Sequence, residues 1–456
     1  MSEASHLLLV TFLSIGLLLY LVLRVKLHPF LSLLITAMFL GVTSGMPLSK
    51  VNTAIQNGLG GTLGFVATVV GIGGIFGQIL EASGGTEAIA RNLIRRFGKD
   101  KAHWSLVMAG FLIAIPVYFD VGFIILVPVV YALAKDTKRS TLFYAIPLLA
   151  GLAVTHTFVP PTPGPVAVAD MLGADLGWVI LIGSLIGLPV AILAGPVFGS
   201  YISKKIDVAP PPKHMMEELN NGTEQSECSL PSFTAVATII GMPLLLMVVK
   251  SVIELLIKLG YMQEGIAYDI SVFVGHPFTA LIIATLMAAY FLGTRRGFTR
   301  KQLLDVSAKA LAPAGMIILI IGSGGAFKEM LIQSGVGNVL AEGISATKLP
   351  PIVLAFIIAA AVRITLGSAT VSMITAAGII GPILEAYTLS EIHLALIVIS
   401  IASGATILSH VNDSGFWLVG KYLGLTEMQT LRSWTVMETI IALGGFGIAL
   451  LLSFFV

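Results

Sequence analysis

Charged residues are scarce in this 456-residue sequence, in which only 11% of positions are Asp, Glu, Lys or Arg. Soluble domains contain about 25%, so water cannot be the solvent for most of this surface. Instead, 56% of the residues are hydrophobic, and the mean hydropathy is +0.96. Apolar stretches of about 20 residues, enough to cross a bilayer as a helix, recur along the chain. A membrane β-barrel would show short alternating segments instead, so we predict an all-α polytopic membrane protein.

Cysteine, nucleotide-binding loops and metal-binding motifs are also lacking. The single Cys228 excludes an intramolecular disulfide and a cysteine metal cluster. The sequence has no Gly-rich phosphate loop ending in Lys-Ser or Lys-Thr and no His-Glu-x-x-His motif. The glycine cluster at residues 71–74 lies inside an apolar run, which indicates close helix packing and no dinucleotide site. We therefore predict no enzyme activity, no ATP drive, no cofactor and no metal.

Basic residues are grouped in a few loops, and such loops are typical of the cytoplasmic side of a membrane. The predicted cytoplasmic clusters are Arg24/Lys26, Arg91/Arg95/Arg96/Lys99/Lys101, Lys135/Lys138/Arg139, Lys204/Lys205/Lys213 and Arg295/Arg296/Arg300/Lys301. The opposite loops contain only Lys50, Lys258 and Lys348. With a net charge of +2, this distribution predicts a lipid bilayer as a partner and no nucleic acid.

Two apolar segments that meet at Asp120 lie between two clusters that both belong inside. Two full crossings would place Asp120 at the far interface. A re-entrant helical hairpin, at about residues 103–134, would instead place its tip near the middle of the membrane. Both arrangements fit the charges, and we favour the hairpin.

A polar stretch divides the chain into two parts. Residues 204–232 contain three consecutive prolines and too few apolar side chains for a core, so they predict a cytoplasmic linker. The first part is residues 1–203, and the second is residues 233–456.

The second part repeats the first. His28-Pro29-Phe30 recurs as His276-Pro277-Phe278, Gly73-Gly74-Ile75-Phe76 as Gly324-Gly325-Ala326-Phe327, and Leu172-Gly173 as Leu423-Gly424. The offsets between these pairs are 248, 251 and 251 residues, a near-constant spacing that chance rarely produces. We therefore interpret the two parts as copies of one unit.

The loop charges predict opposite orientations for the two copies. The helix after His28 follows Arg24 and therefore starts inside, whereas the helix after His276 ends at Arg295 and starts outside. We predict an inverted repeat with about five transmembrane helices and one re-entrant hairpin in each half. The hairpin of the second half would span about 351–387, with its turn at residues 367–370.

A helix after each hairpin is predicted to break near the middle of the membrane. In the first half the break lies at residues 155–165, which contain four prolines, and proline removes a backbone donor and clashes with the preceding turn. In the second half it lies at residues 409–415. Interruptions at matching positions of two inverted halves indicate a transport site near the midplane.

Several residues at these breaks and turns are suited to a small organic anion. Exposed helix N-termini offer N–H groups and partial positive charge to a carboxylate. The hydroxyl and amide groups that suit a polyhydroxylated substrate belong to Ser368, Thr370, Ser403, Thr155, Asn412 and Ser414, each of which could instead serve helix packing. Arg363, five residues before Ser368, is predicted to bind the carboxylate or else to reach the lipid interface.

Four titratable residues are candidates for proton coupling. Asp120 and Asp413 are the acids at the predicted midplane features, and burial favours the neutral form of a carboxyl group. Asp413 could instead cap the half-helix that follows it, so Asp120 is the preferred proton carrier. His156 and His410 could also titrate near neutral pH, although a neutral histidine bonded to the backbone is the commoner arrangement.

The sequence resembles the gluconate permease (gluconate:proton symporter) family along nearly its whole length. The resemblance is carried by residues 58–64 (GLGGTLG), 119–123 (FDVGF), 367–371 (GSATV) and 409–418 (SHVNDSGFWL). It implies proton-driven import of gluconate or a close sugar acid across a bacterial inner membrane, by an elevator-type homodimer with two hairpins. Asp120 stands where relatives often carry Glu, and Thr162 stands where several gluconate carriers have His.

Other functions remain as alternatives. The same family includes carriers of other small hydroxylated acids and of D-serine, but Arg363 favours a sugar acid. An anion channel would need a continuous polar lining, whereas proline-broken segments favour a site that can close. An intramembrane enzyme would need a nucleophile–base pair or a metal site, and the sequence offers neither with useful spacing.

Overall fold

The protein is helical throughout its described part. The computed structural model describes residues 3–209, 230–336, 339, 349–385 and 387–456. The structure is 82% helical, and the described residues contain no strand. Eight of the described helices are long and apolar enough to cross a membrane, as the composition predicts. Most of the predicted linker, residues 210–229, lies outside the described part.

The first half contains nine labelled helices. They are α1 (Glu3–Leu23), α2 (Pro29–Thr43), α3 (Leu48–Ala82), α4 (Gly85–Phe97), α5 (Ala102–Ile113), α6 (Phe119–Thr137), α7 (Leu142–Phe158), α8 (Pro163–Leu172) and α9 (Leu176–Ile202). A single π-helical turn at Leu193–Val197 interrupts α9 at the position of Pro196, where proline cannot donate the regular backbone hydrogen bond.

The described helices of the second half follow a similar order. Its helices are α10 (Phe233–Lys258), α11 (Ile266–Gly275), α12 (Pro277–Arg296), α13 (Arg300–Gln333), α14 (Pro351–Leu366), α15 (Ala369–Leu384), α16 (Glu391–Gly404), α17 (Ser414–Leu423) and α18 (Glu427–Ser453). Helices α12 to α18 correspond in order to α2, α3 and α5 to α9.

The sequence landmarks of the repeat occupy equivalent structural positions. His28 and His276 each cap a helix whose first residue is proline, and the imidazole Nδ1 accepts the N–H of Phe30 or Phe278 at 3.4 and 3.3 Å. Gly173 and Gly424 each end a helix in the left-handed conformation, at φ +69° and +65°, which glycine adopts without a steric penalty. The repeated residues therefore mark the starts and ends of corresponding helices.

The corresponding helices α3 and α13 pack antiparallel along their length. A Cβ added to Gly58 would lie 2.8 Å from Cα of Ala326, and one added to Gly74 would lie 3.6 Å from the carbonyl oxygen of Ala310. When each residue is replaced by its counterpart 251 positions away in the other half, the contact between Gly58 and Ala326 nearly becomes the contact between Gly74 and Ala310. This relation is expected for two helices related by a pseudo-two-fold axis. This pair is arranged as an inverted repeat requires, and the membrane orientation of the remaining helices stays a prediction.

Both hairpins contain helices too short for a full crossing. Helix α5 has 12 residues, or about 18 Å, against about 30 Å of hydrocarbon. Helices α14 and α15 have 16 residues each. The first turn lies at residues 114–118, just before Asp120, where the two apolar segments were predicted to meet. Pro116 explains this position, because it disfavours helical geometry at Ile115. Re-entrant insertion remains a prediction that these lengths favour.

The two predicted helix breaks are present. Helix α7 ends at Phe158 and α8 begins at Pro163, while α16 ends at Gly404 and α17 begins at Ser414. Thr162 and Asp413 precede α8 and α17 at equivalent positions, and both are buried. Each break thus presents the start of a short helix to the interior of the protein.

Candidate functional site

The hairpin turns and the broken helices surround one cavity of about 610 Å³. One wall is formed by the antiparallel pair, with Gly74, Gln78 and Glu81 of α3 and Pro313 of α13. The opposite side is formed by the two hairpin turns and by the breaks. This volume lies within the range of small-molecule sites.

Four helices begin at this cavity. Residues of the first turn of α6, α8, α15 and α17 line it, among them Asp120, Pro163, Thr370 and Ser414. The first N–H groups of a helix have no partner within the helix and carry partial positive charge. Helix α8 offers fewer such groups, because Pro163 and Pro165 have no N–H. The partial positive charges of these helix starts suit a carboxylate.

Arg363 is buried beside the turn of the second hairpin. Its side chain is 3% exposed; Nη2 donates to Oδ2 of Asp413 at 2.5 Å, and Nη1 donates to the carbonyl oxygen of Gly367. Its Nε is buried without a hydrogen-bond partner among the described residues. Arg363 therefore does not extend to a lipid interface, and one of its N–H groups has no hydrogen-bond partner among the described residues.

Asp413 is held by three donors. Oδ2 accepts from Arg363 and from the Ser409 hydroxyl, both at 2.5 Å, and Oδ1 accepts from the N–H of Gly415 at 3.0 Å. The last contact makes Asp413 the N-cap of α17, the structural role considered from the sequence. Both carboxylate oxygens of Asp413 therefore have hydrogen-bond donors in the structure.

The second break docks against the end of α14. The Asn412 side-chain amide donates to the carbonyl oxygen of Ile364 at 2.9 Å, and Nε2 of His410 lies 3.1 Å from the same oxygen. Helix C-termini leave such carbonyls without partners. Asn412 lines the cavity, whereas His410 does not. Both side chains join the second broken helix to the second hairpin.

Gly367 permits this docking. It adopts φ +77°, and a Cβ at this position would lie 2.6 Å from the carbonyl carbon of Asn412. A left-handed L-residue costs about 1–2 kcal/mol by itself, and the overlap would additionally displace the break. The close approach therefore requires glycine here.

We expect Gly367→Ala to lower the unfolding temperature in detergent and to lower substrate uptake strongly. Gly260→Ala is the matched control, since Gly260 has φ +78° with open space around it. It introduces the same backbone strain without the overlap. Equal losses of unfolding temperature and uptake in the two variants would show that contact with Asn412 is unimportant.

The other predicted residues fall into two groups. Asp120, His156, Ser368, Thr370 and Ser414 line the cavity, together with Arg363, Asn412 and Asp413. Asp120 is exposed to the cavity, and the structure shows no hydrogen bond from it to a described residue. Ser368 caps α15 through the N–H of Val371 at 3.4 Å.

Thr155 and Ser403 lie outside the cavity lining. Both side chains are fully buried, and neither hydroxyl has a hydrogen-bond partner among the described residues. A Cβ added to Gly445 would lie 2.5 Å from the Ser403 hydroxyl. Ser403 therefore packs between α16 and α18, as the alternative of helix packing predicts.

Glu438 is a cavity residue that the sequence analysis did not single out. It lies on α18, is 4% exposed and lines the cavity. The sequence signal for it was a single acid within the otherwise apolar segment Val436–Ser453. Glu438 lies within a continuous helix, whereas the predicted acids lie at breaks and turns. Glu81, which accepts from the Gln78 amide at 2.8 Å, was missed for the same reason.

The described residues contain no cluster of three or more His, Cys, Asp or Glu side chains suited to a metal. The cavity lining offers helix N-termini, one arginine, hydroxyl groups, an amide and several carboxyl groups. These groups can bind a hydroxylated anion and exchange protons.

Known proteins resemble this chain over nearly its whole length. Residues 6–455 match the model of the GntP family permease. The gluconate permease of Pseudomonas aeruginosa is 42% identical over 453 residues, which cover 99% of both chains. The low-affinity gluconate transporter of Escherichia coli K12 is 40% identical over 433 residues, which cover 95% of both chains.

The fold also has a counterpart among solved structures. MtrF of Neisseria gonorrhoeae superimposes with a TM-score of 0.67 at 12% identity, covering 94% of this chain and 96% of that chain. At this identity the likeness concerns the fold alone. With the family match and the two relatives, it leads to one conclusion: the chain belongs to the GntP permease family and is a multi-pass membrane permease, not an enzyme.

Proposed function

We propose that this permease imports gluconate or a closely related sugar acid together with protons. The observation that carries the proposal is the convergence of four helix N-termini on the cavity that Arg363 lines. This arrangement favours a carboxylate. The two relatives named for gluconate support the choice of a sugar acid.

In this proposal the substrate spans the cavity. Its carboxylate lies near Arg363 and the N–H groups of Ala369 and Thr370 at the start of α15, which precede the N–H group of Val371 that Ser368 caps. Its hydroxyl groups contact Ser368, Thr370, Asn412 and Ser414, which surround the same space. A cavity of about 610 Å³ has room for a six-carbon acid and accompanying water molecules.

Asp120 is proposed as the proton carrier. It lies in the first turn of α6 and is exposed to the cavity, where water can deliver and remove a proton. His156 lines the same cavity, and its buried Nδ1 has no hydrogen-bond partner among the described residues. We assign His156 an auxiliary role in proton transfer. Asp413 and His410 have structural partners instead.

We also propose a bacterial inner-membrane location and a homodimer that moves its site by an elevator motion. The support for these three statements is the family resemblance. The coupling ion is H⁺.

The direct test is uptake of labelled gluconate by vesicles containing the purified protein. We expect accumulation above the external concentration when the outside is acidic, and collapse of that accumulation by a protonophore. Unlabelled sugar acids should compete, whereas D-serine and carboxylates without hydroxyl groups should not. Equilibration without accumulation would instead identify a channel or uniporter, and stronger competition by D-serine would change the substrate class.

A further inference from the structure

Glu438 is the one buried acid of the described cavity lining that has a free oxygen. Its side chain is 4% exposed, and Oε1 has no hydrogen-bond partner among the described residues. A buried polar atom without a partner is costly, so its retention calls for an explanation. Helix α18 holds Glu438 in place through extensive packing against α16 and α9.

The other carboxyl groups of the cavity differ from Glu438. Asp413 accepts three hydrogen bonds, and Glu81 accepts one from Gln78. Asp120 is exposed to the cavity. Among these acids, only Glu438 is buried and also has an oxygen without a hydrogen-bond partner among the described residues.

Arg363 provides the complementary free group. Its buried Nε donor is without a partner, just as Oε1 of Glu438 is. Glu438 interacts electrostatically with Arg363 and with Asp413. With Glu438 ionised, these three groups carry a net charge of −1, and with Glu438 protonated they carry none. An anion entering the cavity is therefore repelled in the first state and accepted in the second.

We propose that Glu438 is a positioning residue that admits the substrate carboxylate to Arg363 only when its own carboxyl group is protonated. The Glu438 carboxylate binds a proton from cavity water, forming an O–H bond, and keeps that proton while the empty site returns. The Glu438 proton therefore makes no net crossing of the membrane, and Asp120 remains the proposed coupling group. The proposal rests on the proposed function and adds a specific link between proton and anion. The titratable groups of the cavity lining outside this cluster are Glu81 of α3, Tyr118 before α6, Asp120 of α6 and His156 of α7.

The test is the pH dependence of the KM for gluconate exchange. With equal pH on both sides of the vesicle, exchange requires binding and movement but no net proton transport. In the wild-type protein we expect KM to rise about tenfold per pH unit once Glu438 ionises, because the protonated fraction falls by that factor. Glu438→Gln is permanently neutral, so its KM should stay at the low-pH value of the wild type from about pH 5.5 to about pH 8.5.

Two further variants make the result decisive. Glu438→Asp retains a titratable group and should restore a pH-dependent KM. Glu391→Gln removes an exposed acid at the start of α16 outside the cavity lining and should match the wild type. Protein amount and unfolding temperature are measured for each variant.

The proposal is overturned if Glu438→Gln keeps the pH dependence of the wild type, or if its KM is high at every pH. Failure of Glu438→Gln to fold, together with a Glu438→Asp variant whose KM no longer depends on pH, also overturns it. Failure of the wild-type protein to accumulate gluconate is a different result, because it contradicts the proposed function itself.

Discussion

Asp120→Asn is expected to abolish proton-driven accumulation of gluconate while exchange of internal for external gluconate continues. The amide has nearly the shape of the carboxyl group, so the first turn of α6 and the cavity lining are retained. It cannot take up a proton near neutral pH. The substrate therefore still binds and crosses, but no pH gradient is coupled to the movement.

The measurement compares two assays on the same vesicles. Uptake driven by a pH gradient should fall to the level of passive equilibration, and the rate of exchange should remain close to that of the wild type. Asp305→Asn, at an exposed position of α13 outside the cavity lining, is the control for loss of an acid. If Asp120→Asn lowers accumulation and exchange equally, Asp120 binds substrate or supports the structure and does not carry the proton.

Arg363→Met is expected to destabilise the protein and to abolish uptake. It removes the donor to Asp413 and to Gly367, and leaves the buried carboxylate of Asp413 without its counter-charge. Breaking a buried ion pair on one side costs about 3–5 kcal/mol. The unfolding temperature in detergent should therefore fall together with gluconate transport.

A double variant separates these two effects. In Arg363→Met with Asp413→Asn the uncompensated charge is gone, and the side-chain oxygen of the introduced asparagine can still cap α17 through the N–H of Gly415. We expect most of the unfolding temperature to return, because replacing both members of a buried pair is often nearly neutral. Uptake should stay absent, since no guanidinium remains for the substrate. Gluconate transport by a stable double variant would exclude Arg363 from substrate binding.

Local signals in the sequence were sufficient for much of the fold. His276 with Pro277 starts a helix, and Gly424 ends one, through interactions that span only a few residues. Such signals predict helix boundaries without knowledge of the tertiary structure. The turn of the first hairpin lies before Asp120, because Pro116 restricts the backbone there, and this restriction is also a local signal.

The site was only partly predictable because its contacts join distant segments. Arg363 and Asp413 are 50 residues apart in the sequence. No local pattern around either residue indicates that they form an ion pair. Glu438 is buried by the packing of α18 on other helices, which a single apolar segment does not reveal. Ser403 lies near the predicted break but its side chain packs toward α18, because which face of α16 is turned inward depends on the whole bundle.

The repeat does not predict the charges of the site. By the offset of 251 residues, Asp413 and Glu438 correspond to Thr162 and Gly187, which carry no charge. The two halves therefore share a backbone plan while the second half supplies the ion pair and the buried acid. Repeated sequence locates the cavity but does not identify the residues that bind an anion there.

The contact between α3 and α13 limits which parts of the molecule can move. At Gly58 and Gly325 the main chains of α3 and α13 touch with no flexible side chain between them. If one helix slid along the other by one turn, bulky side chains such as that of Leu63 would overlap the backbone of the partner helix. We therefore expect this pair to act as a fixed frame during a transport cycle. In the proposed elevator motion, we then expect the displacement to occur in the hairpins and broken helices that face the frame.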